Sequence, residues 1–416
     1  MKFILSLAFK NLTRYKRRTI ITSFAIAIGL MMFILVDSLL IGVEQESVRN
    51  LKWYETSSAR ILHSQYWDQR MMMPLDVNIE DPDTIIAVLK ENGIDATKRI
   101  TFSADMILNS YDFEEDGNLG VVVQAVDLES DFDVFEFETT LEEGRFMEAG
   151  SDEIVIGSWF AEDIGAKVGS YITLITRGNG GFFEAMDLQI VGIVNCPNPN
   201  VNRSLVMMDI TTAGEYLAME DLATEIDIKL PEKSDTDEMI QRIAALLDLE
   251  NTDYEIMSWE ELAHDYLSVL QADKAGSKLI LLLVFIIAAV GISNTMLMAM
   301  YERIRELGMM RALGMSDRAV HLSFMVEAGG IGLFGSVAGL LLGAMINIYL
   351  VDVGIDMSFM MRDMDIGYRI QSIMRGAWDL RTYLTALVSG VFLSMIVAYI
   401  PTRRALKMDI PACLHH

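Results

Sequence analysis

The chain has 416 residues, of which 52% are hydrophobic, and its formal charge is −26. This composition is too apolar for an ordinary water-soluble protein, and the acidic balance argues against nucleic-acid binding. Three short segments, 1–18, 301–318 and 402–416, nevertheless hold thirteen Lys and Arg against four Asp and Glu. Because short basic loops stay on the cytoplasmic side of a membrane, the acidic bulk of the chain is expected outside.

The N-terminal region predicts a membrane anchor. Residues 1–18 carry six basic and no acidic side chains, interleaved with apolar ones, which favours an interfacial helix over the alternative of a disordered basic segment. Residues 19–42 form an apolar run long enough to span a bilayer. Because this run exceeds a signal-peptide core and no small-x-small cleavage site follows, we predict an uncleaved span with its N-terminus inside. Asp37 is expected to reach the headgroups.

Residues 43–277 contain no apolar run of span length and predict one large α+β domain outside the membrane. Ser258-Trp259-Glu260-Glu261 predicts a capping box, and Asp81-Pro82-Asp83 a helix start with Asp81 as the cap. The helix after Ser258 is expected to run as a stalk into the second span. Alternating residues predict strands at 58–63, 98–108, 119–126, 171–176, 187–194 and 224–230, and helical periodicity predicts helices near 82–92, 210–219, 234–248 and 258–277.

Three further apolar runs predict the remaining spans of a four-helix membrane protein with both termini cytoplasmic. The spans are expected at 278–300, 322–351 and 382–401, with a short outer loop at 352–381, and Pro401 is expected to end the last one. Gly335, Gly339 and Gly343 recur every four residues, which favours close packing of another helix over local bending. Glu327, near the inner end of the third span, is expected at the interface or paired with a nearby Arg, although an intramembrane carboxylate can be functional.

Motifs for catalysis and nucleotide binding are absent from the sequence. There is no G-x-x-x-x-G-K-[ST], no H-E-x-x-H and no G-x-S-x-G. The two cysteines, Cys196 and Cys413, are expected on opposite sides of the membrane, so neither a disulfide nor a Cys metal site is predicted. The Gly-rich run Arg177-Gly178-Asn179-Gly180-Gly181 follows one predicted strand and precedes another, which indicates a hairpin loop and not a phosphate-binding loop. We therefore expect no catalytic residue, metal or cofactor in this chain.

The most informative stretch is a charged turn between the second and third spans. It reads Glu302-Arg303-Ile304-Arg305-Glu306-Leu307-Gly308-Met309-Met310-Arg311-Ala312-Leu313-Gly314. It resembles the E-R-x-R-E-x-G-x-x-R-A-x-G turn of the MacB/FtsX/LolC-LolE permeases, the type VII ABC transporters. The resemblance extends to Glu153–Gly157 and 190–193 in the outer domain and to Pro401, Arg404 and Ala405, while Ile410 interrupts the usual D-P near the C-terminus.

The resemblance implies a permease subunit of the bacterial inner membrane with a periplasmic domain. It further implies two cytoplasmic ABC ATPase subunits, which bind ATP and Mg, and a second permease that is the same or homologous. The charged turn would be the coupling helix that docks on the ATPase. The residues assigned to it are Glu302, Arg303, Arg305, Glu306, Leu307, Gly308, Arg311, Ala312, Leu313 and Gly314. A loop with two acids among its arginines suits docking better than orientation alone.

Within this family, lipoprotein-releasing LolC and LolE permeases resemble the chain best, which implies a lipoprotein cargo and a periplasmic carrier as further partners. The alternatives are FtsX-like signalling to a periplasmic hydrolase, and export of a peptide, toxin or drug with an outer-membrane partner. Methionine adapts to irregular apolar shapes, which would suit a cavity for acyl chains. The candidate cavity residues are Met31, Met32, Leu35, Leu282, Phe285 and Ile286.

Overall fold

The computed structural model describes residues 16–108, 113, 117–231, 234–269, 304–356 and 373–406, with scattered positions between 282 and 298. It divides into two units. The helical unit comprises residues 1–45, 269–365 and 372–416, and the sheet unit comprises 46–268 with 366–371.

The helices are α1 (Lys16–Leu51), α2 (Tyr66–Gln69), α3 (Pro82–Glu91), α4 (Asp131–Val134), α5 (Ser158–Ile164), α6 (Pro199–Ser204), α7 (Ile210–Leu217), α8 (Thr236–Leu246), α9 (Trp259–Leu262), α10 (Ile304–Ala312), α11 (Asp317–Asp352) and α12 (Leu380–Leu406). The strands are β1 (Ala59–His63), β2 (Ile79–Glu80), β3 (Asp95–Leu108), β4 (Gly117–Val126), β5 (Leu141–Gly144), β6 (Glu153–Gly157), β7 (Tyr171–Arg177), β8 (Phe183–Val194), β9 (Val206–Asp209), β10 (Leu222–Ala223), β11 (Glu225–Lys229), β12 (Tyr254–Ser258), β13 (Ile355–Asp356) and β14 (Ile373–Met374).

The helical unit contains long apolar helices where the sequence predicts membrane spans. Among the described residues, three helices are long and apolar enough to cross a membrane: Thr19–Thr56, Asp317–Asp352 and Leu380–Tyr399. Most of the predicted span at 278–300, and the predicted interfacial segment up to residue 15, lie outside the described residues, so the count of four spans stays a prediction. At 36 residues, α1 is about 54 Å long and therefore exceeds a hydrocarbon core of about 30 Å.

The last candidate span covers Leu380–Tyr399, but the helix itself does not end at Pro401. The helix α12 continues through this proline to Leu406. Proline removes the amide that would bond the carbonyl four residues earlier, which usually interrupts a helix. The carbonyl four residues before Pro401 is that of Val397. At the next position the Thr402 hydroxyl donates to the Ala398 carbonyl at 2.7 Å, a back-bond to the preceding turn that often accompanies a bend in a helix.

The sheet unit is built on one ten-stranded sheet. Its strand order is β12-β1-β11-β3-β4-β9-β6-β8-β5, with β7 pairing both β3 and β8. The six predicted strands are all present, as is the predicted hairpin loop, because β7 and β8 pair antiparallel from Arg177 opposite Phe183. Alternation missed four strands of this sheet, β5, β6, β9 and β12; all four residues of β9 are buried, and a strand buried on both faces shows no alternation.

Two helix starts differ in how well the sequence predicted them. The capping box is confirmed, since the Ser258 side chain accepts from the Glu261 amide and the Glu261 carboxylate accepts from the Ser258 amide. Asp81 occupies the position before α3 as predicted, but the prediction that its side chain caps the helix is wrong. It has a left-handed backbone with φ 46°, and its carboxylate accepts the Thr84 hydroxyl instead of a backbone amide. The helix expected over 258–277 is interrupted at Ala263 and is described only to residue 269.

A buried ionic cluster crosses strands β1, β11 and β3. Arg60 donates to Glu225 and to Asp227, both at 2.7 Å, and Arg99 lies 2.7 Å from Asp131 with both side chains fully buried. The Arg99 guanidinium also lies 3.5 Å from the centre of the Phe135 ring. Three carboxylates therefore face two guanidinium groups away from water. Burial raises the pKa of Glu225 above its ordinary value of 4.5, although Arg60 opposes the shift.

The cluster predicts that the contribution of Glu225 to the stability of the sheet unit increases as the pH falls through its raised folded-state pKa. Because the folded-state pKa of Glu225 is raised, its contribution to stability is fully present below the unfolded-state pKa and is lost as the pH rises through the folded-state value. We expect Glu225→Gln to flatten this dependence. Thermal unfolding of the full chain in nanodiscs would measure it, with Glu143→Gln on the exposed strand β5 as the matched control. An unchanged slope in Glu225→Gln would contradict the assignment.

Candidate functional site

The helix α10 occupies most of the charged turn that the sequence singles out. It runs from Ile304 to Ala312. Glu302 and Arg303 lie outside the described residues, and of Leu307 only the helical backbone is described. Glu306 is half-buried and Gly308 is buried. The predicted segment is thus a short helix immediately before the long apolar helix α11.

Gly314 ends α10 with a complete Schellman motif. The Met315 amide donates to the Met310 carbonyl at 3.1 Å, and the Gly314 amide donates to the Arg311 carbonyl at 3.0 Å. Gly314 has φ 89°, a left-handed conformation that glycine adopts without the steric cost of a Cβ. The turn is therefore a defined corner whose geometry is fixed by the backbone.

The next helix begins at once and is tied back to α10. Ser316 caps α11 by accepting from the Ala319 amide. Arg311 donates through Nε to Asp317 Oδ1 at 3.0 Å, with only 15% of the Arg311 side chain exposed. Sequence reasoning expected Arg311 to face a partner, but the structure places it against the first turn of α11. The ion pair stabilises the corner between the two helices.

Apolar contacts complete the junction. Ile304 of α10 and Val320 of α11 are buried together, and Phe324 of α11 and Leu406 of α12 pack against them. Three helices thus share one small core at this end of the helical unit. A force applied to α10 would reach α11 and α12 through packed side chains, since close-packed interiors deform little.

One face of α10 remains exposed. Arg305, Met309 and Leu313 follow each other at four-residue spacing, and all three are exposed. Leu313 is 88% exposed and Met309 is 50% exposed. An exposed leucine and methionine on one helical face beside an arginine form the apolar and cationic pattern of an interface hot spot. The exposed face of α10, meaning these three residues, is the candidate docking surface.

The glycine stripe of α11 packs directly on α1. A Cβ added to Gly339 would lie 2.9 Å from the Ala27 carbonyl oxygen, and one added to Gly335 would lie 2.8 Å from Ile26 Cβ. A Cβ on Gly343 would lie 3.0 Å from Ile34 Cδ1. The three glycines predicted to share a face therefore bring the α1 backbone as close as two helices can approach.

A network of buried polar groups around Ser38 and Asn347 joins α1, α11 and the start of α12. The Ser38 hydroxyl of α1 donates to the Asn347 side-chain carbonyl of α11. Ala377, just before α12, donates its amide to the Ser38 carbonyl at 3.0 Å, and the Asn347 amide donates to the Tyr383 hydroxyl at 3.2 Å. Thr382 donates to Asp37, which ties this carboxylate to the first turn of α12, while contact of Asp37 with the headgroups stays a prediction. Hydrogen bonds and close packing therefore hold helices α1, α11 and α12 together in one bundle.

Sequence reasoning missed this network although a signal was present. Ser38 and Asn347 are polar residues inside apolar runs, and both are almost completely buried. A polar side chain in a predicted span needs a partner in the protein. Glu327, the acidic residue noted from the sequence, is also buried in α11, with 4% of its surface exposed.

The candidate cavity residues lie on the less buried sides of their helices. Met32 is 47% exposed, and Leu282 and Ile286 are 54% and 50% exposed, whereas Met31 and Leu35 are half-buried. Phe285 lies outside the described residues. Ile20, Phe24 and Ile28 continue the exposed stripe of Met32 along α1 at four-residue spacing. The structure thus leaves an apolar stripe on α1 opposite the side that packs on α11.

Comparison with known proteins covers nearly the whole chain. The family described as the MacB-like periplasmic core domain matches residues 19–246, and the FtsX-like permease C-terminal family matches residues 278–410. The chain is 23% identical over 419 residues to an uncharacterized ABC transporter permease of Methanocaldococcus jannaschii, covering 98% of this chain and 96% of that protein.

Two further relatives are matched over about half of their own length. The lipoprotein-releasing system transmembrane protein LolC of Neisseria meningitidis is 25% identical over 51% of this chain and 53% of its own. The macrolide export ATP-binding/permease protein MacB of Escherichia coli is 23% identical over 97% of this chain and 59% of its own. The relatives therefore include proteins named for two different cargoes.

Proposed function

Because this chain belongs to the MacB, FtsX and LolC family of ABC transporter permeases, we propose that it uses ATP hydrolysis by partner subunits to release lipoproteins from the membrane. In this proposal the membrane is the bacterial inner membrane, the termini are cytoplasmic, and the sheet unit is periplasmic. The complex contains two ATPase subunits that bind ATP and Mg, a second permease that is identical or homologous, and a periplasmic carrier that accepts the cargo.

The observation that carries the proposal is the exposed face of α10. A helix that leaves Met309 and Leu313 in solvent, while its opposite side is packed on α11 and α12, is built to receive a partner. Arg305 adds a charge that can pair with an acidic side chain of the ATPase. The fixed corner at Gly314 then transmits the movement of α10 to α11 without an intervening flexible loop.

The path continues from α11 to α1. The glycine stripe and the Ser38–Asn347 network join these two helices along their length, so they are expected to move as one body. We therefore assign the movement that follows ATP hydrolysis to α1, α11 and α12 together. Since α1 belongs to the helical unit up to residue 45 and to the sheet unit from residue 46, it would carry the movement into the sheet unit.

The lipoprotein cargo is supported by the apolar stripe of α1 and by the similarity to LolC. Side chains such as Met32 can cover an acyl chain, whose burial from water is favourable by about 0.8 kcal/mol per methylene. Extraction from lipid gains little of this free energy because the acyl chain is already in an apolar solvent. ATP hydrolysis is then required to complete release.

Photo-crosslinking in native membranes would test the cargo. A photoreactive amino acid at Met32 or Ile286 is expected to trap proteins that carry a metabolically incorporated alkyne fatty acid. The same amino acid at Leu341, which is 69% exposed on α11, is the matched control for random contact with membrane lipoproteins. Equal trapping at Met32 and Leu341 would overturn lipoprotein release. Trapping of a soluble peptide would favour export, and failure to trap any cargo would favour FtsX-like signalling.

A further inference from the structure

A groove of about 840 Å³ lies in the sheet unit, and all of its lining residues belong to that unit. Its floor is formed by neighbouring strands β7, β3 and β4. In this register Ser103 lies opposite Val122, and Asp105 lies between Gly120 and Ile175. Because successive strand residues alternate between faces, these side chains share the face on which the groove opens.

The floor combines a carboxylate with free space beside it. Asp105 is exposed, and its carboxylate has no hydrogen-bond or ion-pair partner among the residues that the structure describes. Its cross-strand neighbour Gly120 has no heavy atom within 4 Å of where a Cβ would be. A basic group can therefore reach the carboxylate from the open side of the groove.

The walls combine apolar side chains with Asp76 and with Arg177, whose guanidinium lies over the Phe183 ring, and the backbone holds them in place. Met71 and Met72 are 89% and 79% exposed, and Phe183 is 67% exposed. The methionine wall ends at Met73, whose φ of 47° is unfavourable for a side chain of this size. Such strain persists only where the surrounding structure fixes it, and it is often found at binding sites. On the hairpin side, the Asn179 amide donates to the Leu217 carbonyl at 2.8 Å. The groove is therefore already formed in the free chain.

The edge of β4 beside the groove is available for pairing. Strand β4 pairs with β3 along its whole length, but β9 joins it only from Val123 onward. In the described part of the chain, no strand covers the second edge of the first half of β4, Gly117–Val122. An uncovered edge presents main-chain amides and carbonyls that an added strand can bond.

We propose that this groove binds an extended, amphipathic peptide segment with a basic side chain. The peptide backbone bonds to the uncovered edge of β4, its basic side chain pairs with Asp105, and its apolar side chains pack on Met71 and Met72. The net charge of −26 favours a cationic ligand and speeds its approach. A small apolar molecule would leave the Asp105 carboxylate and the β4 edge without partners. The inference is independent of the ATPase and of the cargo.

Peptide binding to the full chain in phosphatidylcholine nanodiscs tests the proposal. The probe is a fluorescein-labelled Leu-Ser-Lys-Ser-Leu peptide, whose Leu and Lys side chains share one face of an extended strand. It is compared with Leu-Ser-Ser-Ser-Leu and Leu-Ser-Glu-Ser-Leu by fluorescence anisotropy, and empty nanodiscs correct for lipid binding. We expect the Lys peptide to bind about tenfold more tightly than the Ser peptide, and the Glu peptide to bind most weakly. Gly120→Leu, which fills the open floor, should weaken binding about tenfold or more. Asp105→Asn should weaken it about fivefold and reduce its salt dependence.

The matched control is Gln241→Leu. Gln241 is exposed on the helix α8, and it belongs neither to the groove lining nor to the uncovered edge of β4. This variant should bind within about twofold of the wild type, since only exposed surface changes. Equal binding of the three peptides, or wild-type affinity in Gly120→Leu, would overturn the proposal. Loss of binding in Gln241→Leu equal to that in Gly120→Leu would also overturn it, because the effect would then not come from the groove.

Discussion

Replacing Gly339 with valine is expected to reduce ATP-driven transport by about a hundredfold or more. Even the first added carbon would lie 2.9 Å from the Ala27 carbonyl oxygen and 3.1 Å from Ala27 Cα. These are backbone atoms, so the clash can be relieved only by moving α1 away from α11. Overpacking of this kind costs about 1–3 kcal/mol for each inserted group, and 1.4 kcal/mol corresponds to a factor of ten.

The expected defect is a loss of coupling and not of ATP hydrolysis. ATPase activity and cargo release should be measured together in proteoliposomes that contain the complete complex. Gly329→Ala is the matched control, because its added carbon would meet only the flexible Met395 side chain, at 3.1 Å. Wild-type transport by Gly339→Val would show that the contact between α1 and α11 does not carry the movement.

A rescue experiment separates a packing defect from a failure to fold. A Cβ on Gly343 would meet Ile34 only through its side-chain atoms, the nearest being Cδ1 at 3.0 Å. Gly343→Ala should therefore impair transport, and Ile34→Ala in the same chain should restore much of it. If the double variant were as impaired as the single one, local packing would not be the cause.

Replacing Leu313 with aspartate is expected to weaken ATPase binding by about a hundredfold and to abolish ATP-driven release. Leu313 is 88% exposed, so the change should not disturb the fold of the chain itself. Truncating a single apolar hot-spot side chain typically costs about 2 kcal/mol or more, and burying an unpaired carboxylate at the interface adds to this cost. Met309→Ala should have a smaller effect in the same direction, about tenfold.

Binding of the detergent-solubilised chain to the purified ATPase, measured by biolayer interferometry, would check this expectation. Leu246→Asp is the matched control, because Leu246 is an exposed leucine of α8 in the sheet unit. Arg311→Ala should act differently. It removes the ion pair with Asp317 and is expected to lower transport by altering the corner, with a smaller loss of ATPase affinity than in Leu313→Asp. Wild-type affinity in Leu313→Asp would exclude the exposed face of α10 as the docking surface.

The sequence predicted features that depend on local chemistry. The capping box at Ser258, the β7–β8 hairpin and the six alternating strands follow from residue spacing. It did not predict β9, because each of its residues is buried and neither face of the strand is polar. The path of α12 through Pro401 was also missed, because a membrane helix tolerates a proline that would end a helix in water.

The sequence predicted which segment of the chain forms the candidate site, but not which of its side chains are exposed. Charge and glycine spacing located the turn at 302–314, yet only tertiary contacts divide its side chains into packed and exposed ones. Arg311 lies against Asp317, whereas Leu313 is exposed. The hydrogen bond between Ser38 of α1 and Asn347 of α11 joins residues more than 300 positions apart. Helical periodicity carries no information about such contacts.

The most direct test of the account is photo-crosslinking from Leu313 in cells. A photoreactive amino acid at this position should form a covalent adduct with a cytoplasmic protein that mass spectrometry identifies by a G-x-x-x-x-G-K-[ST] motif. The same amino acid at Leu246 should form no such adduct. If Leu313 trapped no P-loop protein, or if Leu246 trapped it equally, α10 would not be where this permease receives the work of ATP hydrolysis.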